Sequence, residues 1–432
     1  MRILLSILFS SVCVLSVLLW AWRQCPPVRL TTLALFALNC TMAILQATPF
    51  AEDITHDRWR YLEAQADFAD YLETGPSTRV PIELWAGFTD RVLGSREAIG
   101  TTLVRPIRTA TLNPAQTTVG AVALLLSGGW TAAPGLLWAT LVALSVGYFA
   151  RVAAQTMPAW RTWVMGAIIV LAPATIWFRT VNTKEPLILA CACVIGALMI
   201  RIGQGDTRVR RLAALGAVSV VMFLLRPAFA LLVLLGFGTG LLVSRRLTAT
   251  TIALGAGFSL VVLAIMLDPS RVEKLGSPDV GRLSAKQLAP YYVEEMMEAR
   301  SEYGGSGGGA DVMRNVFQRG PSGFVYLPVM VGYFVLGPFP WQGGSMLMQL
   351  GKLHALVYWV IAFLLLRNLV LWRRLRPEHR VFVWTCVVIV VAMSIVETNL
   401  GTAMRHRTTW EPLVFYAALA IPIPRATAQP PE

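Results

Sequence analysis

A small set of charged side chains lies within or beside long apolar stretches of this sequence. Charge is expensive in such surroundings and usually serves a function. Because the arginine guanidinium is planar, it suits bidentate contacts to phosphate oxygens and carboxylates. Positive side chains around a leaving diphosphate would also stabilise the charge that develops in a transfer reaction. The members are Arg179, Lys184, Glu185, Arg226, Glu397, Arg405, His406 and Arg407. These residue types favour a pocket for an anionic, lipid-linked substrate.

The substrate-binding part of this set is basic. Arg226, Arg405 and Arg407 are expected to bind the diphosphate, with Arg179 and His406 as further substrate contacts. Each also has an ordinary structural explanation, because arginines at the ends of membrane spans commonly snorkel to the interface. Arg226 interrupts an apolar run on the face opposite to the basic loops, which weakens that explanation.

The catalytic part of the set comprises Lys184, Glu185 and Glu397. Lys184 would either join the arginines or pair with one of the two carboxylates. A single carboxylate, Glu397 or one from the long polar loops, would deprotonate an acceptor hydroxyl within hydrogen-bond reach. The alternative for 178–186 is an ordinary helix cap, because Pro186 suits a first helical turn and Glu185 complements the helix dipole.

An indole, Trp341, follows the Gly- and Pro-rich stretch 337–340. The structural interpretation is an aromatic residue of the membrane interface. The functional interpretation is a surface for a sugar or lipid, because an indole offers an apolar face and one hydrogen-bond donor. Trp341 is therefore included among the expected substrate contacts.

Other chemistries lack their motifs in this sequence. It has no phosphate-cradling Gly-Lys-Ser/Thr loop, no dinucleotide fingerprint and no GxSxG elbow. None of its four histidines has an acidic or thiol partner at metal spacing. The six cysteines suit small core residues better than a disulfide framework. The sequence therefore predicts neither a cofactor nor a metal.

The composition is that of a membrane protein. Of 432 residues, 56% are hydrophobic and 14% charged, whereas soluble domains carry about 25% charged residues. Apolar runs of about 20 residues recur, which predicts an all-α, polytopic transmembrane helical bundle of about 11–13 membrane segments. The net charge of +13 is better explained by basic cytoplasmic loops than by nucleic-acid binding.

The predicted segments lie at 3–22, 30–47, 132–150, 162–178, 185–200, 212–225, 228–243, 249–267, 352–371, 381–396 and 411–423. Two shorter stretches, 117–127 and 323–340, are interrupted by Gly or Pro. If 323–340 crossed the membrane, the basic loop 372–380 would face outward. That segment is therefore expected to be re-entrant, since irregular backbone at such depth must be buried in protein or line a cavity.

The basic loops set the expected orientation. Loops 201–211, 245–246 and 372–380 face the cytoplasm by the positive-inside rule. Residues 178–184, 226–227 and 398–407 then lie on the outer side. The expected organisation is an N-terminal transmembrane hairpin at 1–47, a long polar loop at 48–116, a central bundle at 117–267, an extracytoplasmic loop with a re-entrant segment at 268–351, a C-terminal bundle at 352–424 and a tail at 425–432.

Several motifs, in this order, resemble a known bacterial family. They are Thr183-Lys184-Glu185, Leu225-Arg226-Pro227, Gly305-Ser306, Gly337-Pro338-Phe339-Pro340-Trp341 and Asn399-Leu400-Gly401 with Arg405-His406-Arg407. Over roughly 115–420 the layout is similar to oligosaccharide repeat-unit polymerases of the Wzy type, within the integral-membrane glycosyltransferases that use polyprenyl-linked donors. The family's Ser-x-x-Gly-Lys-Glu pattern lacks its serine and glycine here.

The resemblance implies a polyprenyl-diphosphate-linked oligosaccharide as donor, transfer at the outer face of the bacterial inner membrane and no metal. The leading hypothesis is a polymerase that extends undecaprenyl-diphosphate-linked repeat units of an exported polysaccharide. Membrane lipid and the pathway's chain-length regulator and flippase are the expected partners, with no nucleic acid. The alternatives are a flippase of the lipid-linked unit, an O-antigen ligase-like transferase and a non-catalytic scaffold.

Overall fold

The computed structural model describes residues 1–46, 62–70, 114–172, 176, 183–244, 327–341, 346–396 and 400–420. Regular structure in these ranges is helical, and they contain no strand. A helix suits lipid because it satisfies its backbone polar groups within its own segment. The predicted class, an all-α polytopic membrane protein, is confirmed.

Thirteen α-helices are numbered here in chain order across the described ranges. They are α1 (Arg2–Trp22), α2 (Pro26–Gln46), α3 (Pro114–Leu126), α4 (Ala133–Ala153), α5 (Ala159–Leu171), α6 (Glu185–Gly203), α7 (Val209–Leu225), α8 (Pro227–Val243), α9 (Leu327–Leu336), α10 (Met346–Val370), α11 (Pro377–Val396), α12 (Leu400–Thr408) and α13 (Glu411–Ala418). A 3₁₀ turn, Trp372–Arg374, joins α10 to α11.

Six of these helices are long and apolar enough to cross a membrane: α1, α2, α4, α6, α10 and α11. Their 19 to 25 residues rise about 28–38 Å, which matches a hydrocarbon thickness of about 30 Å. Helices α7 and α8 have 17 residues each, close to the lower limit for a span. The predicted segment 249–267 lies outside the described residues, so the total of 11–13 stays a prediction.

The predicted span at 411–423 is wrong over its described part. There the chain forms α13, whose eight residues rise only about 12 Å. All eight are buried in the bundle. An apolar stretch enclosed by protein has the same hydropathy as one in lipid, which is why the pattern misled. Helix α9 has ten residues and begins next to residues outside the described ranges, so the expected re-entrant course of 323–340 stays a prediction.

Helix α3 has a partner from the long polar loop. A helical stretch at 62–70 contributes Leu62 and Phe68 to a small cluster with Ala121 and Leu124 of α3. Thus part of the loop 48–116 packs on the half-length segment predicted at 117–127. Its amphipathic side chains were not recognised in the sequence among the surrounding carboxylates.

The ends of three helices meet at one end of the bundle. A Cβ on Gly203 of α6 would lie 2.9 Å from the Cα of Glu378 in α11. A Cβ on Gly240 of α8 would lie 2.8 Å from the Cα of Val381. Small residues at helix crossings let backbones approach closely in membrane proteins. Loops 201–211 and 372–380 therefore lie together, as the span count predicted. We name this the basic end and the opposite one the site end.

Candidate functional site

A buried ion pair links the start of α6 to α12. Glu185 is the first residue of α6, with Pro186 next, and is 2% exposed. Arg405 lies in the last turn of α12. Its Nε lies 2.8 Å from Oε1 of Glu185, and its Nη2 donates to Oε2 at 3.0 Å. The pair thus combines a charge-assisted hydrogen bond to Oε2 with a close ionic contact at Oε1. It is also the arrangement that allows a carboxylate to be buried.

A second contact brings α12 to the turn between α7 and α8. Arg226 is the single residue between these helices, with extended backbone at φ −158° and ψ 90°. Its amide donates to the Met222 carbonyl at 2.7 Å, and its own carbonyl accepts from Ala230 at 3.1 Å. The Nη2 atom lies 3.0 Å from Nδ1 of the buried His406 and also contacts Nε2. Helix capping therefore fixes the backbone that carries the guanidinium.

The two contacts share one helix because Arg405 and His406 are consecutive in α12. Lys184 precedes α6 and is partly buried. The site-end cluster is Lys184, Glu185, Arg226, Arg405 and His406. The structure thus brings together five of the nine predicted site residues from three separate segments, and their roles in binding or catalysis stay predictions. Arg179 and Glu397 lie outside the described residues.

Arg407 does not face outward, so that expectation is wrong. Its side chain is buried, with Nη1 donating to the Val335 carbonyl at 2.9 Å and Nη2 to the Gly337 carbonyl at 2.6 Å. Carbonyls at a helix end lack partners within the helix, and Arg407 supplies those donors to the end of α9. Its guanidinium also lies 5.0 Å from the Tyr358 ring centroid.

A further group of polar residues was missed in the sequence. Glu411, the first residue of α13, is 1% exposed. Nε2 of His354 lies 2.8 Å from its Oε1, and the hydroxyl of Tyr358 donates to the same oxygen at 3.1 Å. We name Arg407, Glu411, His354 and Tyr358 the interior cluster. His354 and Tyr358 are four residues apart on α10, and Glu411-Pro412 repeats the Glu-Pro start of α6. Those two patterns were the available signals.

Trp341 lies at the exposed edge of an aromatic stack. It is 75% exposed and stacks on Phe339 with ring centroids 4.9 Å apart and planes 7° apart. The rings of Phe339 and Tyr333 are nearly perpendicular, with centroids 5.2 Å apart. The stack follows the Gly337 carbonyl that Arg407 holds. An exposed flat ring on an aromatic support suits the interfacial role and the sugar-binding role equally.

This fold and these clusters define a multi-pass membrane protein with ionised groups held between its helices. Residues 133–279, about a third of the chain, match a family model described as "Predicted membrane protein (DUF2142)". The matched region is similar to that family and contains Lys184, Glu185 and Arg226, whereas α12 lies beyond it. No curated protein and no solved structure matches the chain.

Proposed function

We propose that this protein is an integral-membrane glycosyltransferase that polymerises undecaprenyl-diphosphate-linked oligosaccharide repeat units of an exported polysaccharide. Transfer would take place at the outer face of the bacterial inner membrane. The observation that carries the proposal is the meeting of Lys184, Arg226 and Arg405 at the end of the bundle opposite to the basic loops. Orientation by the positive-inside rule does not require positive charge at that end.

The charge of the site-end cluster suits a diphosphate. Its cationic side chains, Lys184, Arg226 and Arg405, are of the kinds that contact phosphate oxygens. Arg405 keeps a side chain that is 26% exposed while Glu185 fixes its orientation. Preorganised cations of this kind stabilise charge that develops on a leaving group. Arg226 and Arg405 would bind the diphosphate, and Lys184 would join them.

The reaction requires one bond to form and one to break. The acceptor hydroxyl oxygen would bond to the anomeric carbon of the donor while the glycosyl–phosphate bond breaks. Undecaprenyl diphosphate would leave with the bonding electrons, and the hydroxyl proton would pass to a carboxylate acting as general base. Glu397 or a carboxylate of the long loops is assigned that role, because Glu185 is held by Arg405.

The experiment is lipid-carrier and polymer analysis of a deletion strain of the source bacterium. Deletion should leave single repeat units on the lipid carrier, and complementation with Lys184→Ala or Arg405→Ala should give a shortened polymer ladder. Arg210→Ala is the matched control, because Arg210 is an exposed arginine of the basic end. It should restore full-length polymer. Full-length ladders from both site variants would overturn the assignment.

Loss of Arg405 also leaves the buried Glu185 unpaired, so a second variant separates folding from function. The double variant Glu185→Gln/Arg405→Gln removes both charges and keeps similar side-chain size. It should accumulate in the membrane like the wild type and still make short polymer. A double variant that polymerises normally would show that these two residues serve packing alone.

A flippase of the lipid-linked repeat unit is the second candidate. It is favoured by the meeting of short helices α9 and α12–α13 around buried charge, since broken helices build many transporter sites. In a deletion strain, repeat units trapped on the cytoplasmic leaflet would favour the flippase. Units on the outer leaflet would favour the polymerase. An O-antigen ligase-like transferase differs in its acceptor, so its deletion would leave polymer on the carrier.

A further inference from the structure

Two arginines converge at the basic end on the carbonyls of Leu419 and Ala420, which directly follow α13. Nη1 of Arg161, near the start of α5, donates to the Ala420 carbonyl at 3.1 Å and also to the Leu419 carbonyl. Nη2 of Arg367, from α10, donates to the Ala420 carbonyl at 3.3 Å. The side-chain amide of Asn368 donates to the same oxygen at 3.3 Å. Three donors thus share the Ala420 oxygen, which has two lone pairs, and Nε and Nη2 of Arg367 also donate to Oδ1 of Asn368.

Among the residues that the structure describes, no ion pair balances the positive charge at this point. Within the described part of the chain, neither Arg161 nor Arg367 forms a salt bridge. Glu378 lies at the same end, with its main chain and Cβ against Gly203, and among the described residues it forms no salt bridge with either arginine. The negative end of the α13 dipole offsets only part of two full charges. Nε of Arg161 is moreover buried without a hydrogen-bond partner, which is costly and rare in native structures.

The surroundings are those of a membrane interface. The Arg161 guanidinium lies 4.8 Å from the ring centroid of Trp160. Trp160 and Trp163 are 57% and 40% exposed, as expected of indoles at headgroup depth. The basic loops 201–211 and 372–380 lie at this end, which the positive-inside rule assigns to the cytoplasm. Anionic lipids concentrate in that leaflet, and basic pockets between helices bind their headgroups.

We propose that Arg161 and Arg367 form a binding site for the headgroup of an anionic phospholipid. Phosphate oxygens would accept from the buried Nε of Arg161 and balance the two guanidinium charges. The apolar side of α5, which ends in exposed Leu171, offers a surface for the acyl chains. This site is separate from the site-end cluster, and it does not depend on the proposed polymerase activity.

Native mass spectrometry of the detergent-purified full chain tests the proposal. The probes are phosphatidylglycerol, phosphatidylcholine and inorganic phosphate. Phosphatidylglycerol should stay bound in preference to phosphatidylcholine. The double variant Arg161→Gln/Arg367→Gln should bind it roughly 30-fold more weakly, which is about 1 kcal/mol for each arginine. Arg210→Gln, an exposed arginine of the same end, should bind like the wild type.

The two arginines also cap α13, so a measurement on the wild type alone completes the test. Phosphatidylglycerol should raise the thermal unfolding midpoint of the wild type more than phosphatidylcholine does, and high salt should reduce the difference. Equal effects of the two lipids would overturn the proposal. So would unchanged phosphatidylglycerol binding in the double variant. Binding of inorganic phosphate with the same arginine dependence would assign the site to a free anion and overturn the lipid.

Discussion

Helices α6 and α13 begin with the same two residues, Glu-Pro, and both carboxylates are buried, yet their partners differ. Glu185 has a two-point contact with Arg405, whose side chain is 26% exposed. Glu411 has a histidine and a tyrosine as partners, both buried. The first carboxylate is therefore balanced at the edge of the bundle, and the second is balanced in its interior.

The difference separates two uses of buried charge. At the site end, Glu185 orients an arginine that still reaches the surface, which suits recognition of a charged ligand. In the interior cluster, Arg407 and Glu411 join α9, α10 and α13, with every described partner inside the protein. Polar residues that are hydrogen-bonded between buried helix ends favour one packing arrangement.

The largest expected effect is the loss of Arg407. Arg407→Met should lower the free energy of unfolding by about 3–5 kcal/mol, because a charge and two carbonyls lose their partner in the interior. A mixed-detergent unfolding titration measures it. The double variant Arg407→Met/Glu411→Gln should recover part of the loss, and Arg210→Met should be neutral. An unchanged free energy of unfolding in Arg407→Met would contradict a stabilising role for the interior cluster.

The next effect concerns the pair at the site end. Arg405→Met should lower the free energy of unfolding by about 2 kcal/mol, less than Arg407→Met, because water reaches the partly exposed partner of Glu185. The same titration measures it. If the two losses came out in the reverse order, the distinction between edge and interior would fail.

Removal of one hydroxyl should have a smaller effect. Tyr358→Phe deletes the hydrogen bond to Glu411 and keeps the ring beneath Arg407. A loss of about 1.5 kcal/mol is expected, the lower end of the range for one hydrogen bond to a charged group. Tyr333→Phe is the matched control, since the contact that the described residues give Tyr333 is a ring contact with Phe339 at the edge of the bundle. Equal losses in the two variants would argue against a specific role of the Tyr358 hydroxyl.

The smallest expected effect is that of salt on the coupling energies of the two buried carboxylates with their arginines. Raising the ionic strength from about 0.1 to 1 M shortens the screening length from about 10 to 3 Å. The coupling between Glu185 and Arg405 in a double-mutant cycle should then fall by about 0.5 kcal/mol. The coupling between Arg407 and Glu411 should stay constant, because salt does not reach the interior. A salt-sensitive interior pair would show that water enters there.

Local patterns predicted the start of α6 at Glu185-Pro186 and the turn at Arg226-Pro227. Hydropathy predicted the class of fold. The contact of Arg226 with His406 joins residues 180 positions apart, so only their shared face of the membrane was predictable. The burial of Arg407 was not, because it depends on the carbonyl ends of α9 lying beside α12. A hydropathy window likewise does not distinguish α13 inside protein from a span inside lipid.

The close approach of α8 to α11 has a consequence for ligand binding. Gly236 and Gly240 place the α8 backbone against Thr385 and Val381 of α11, where an added Cβ would lie within about 3 Å of main-chain atoms. Arg226 lies immediately before α8. Its backbone position is therefore fixed by a helix that has little freedom to tilt. A guanidinium carried by such a rigid backbone loses little conformational entropy when it binds an anion. The two glycines lie in the second half of α8, away from Arg226. They would then increase affinity for an anion at the site end without touching it.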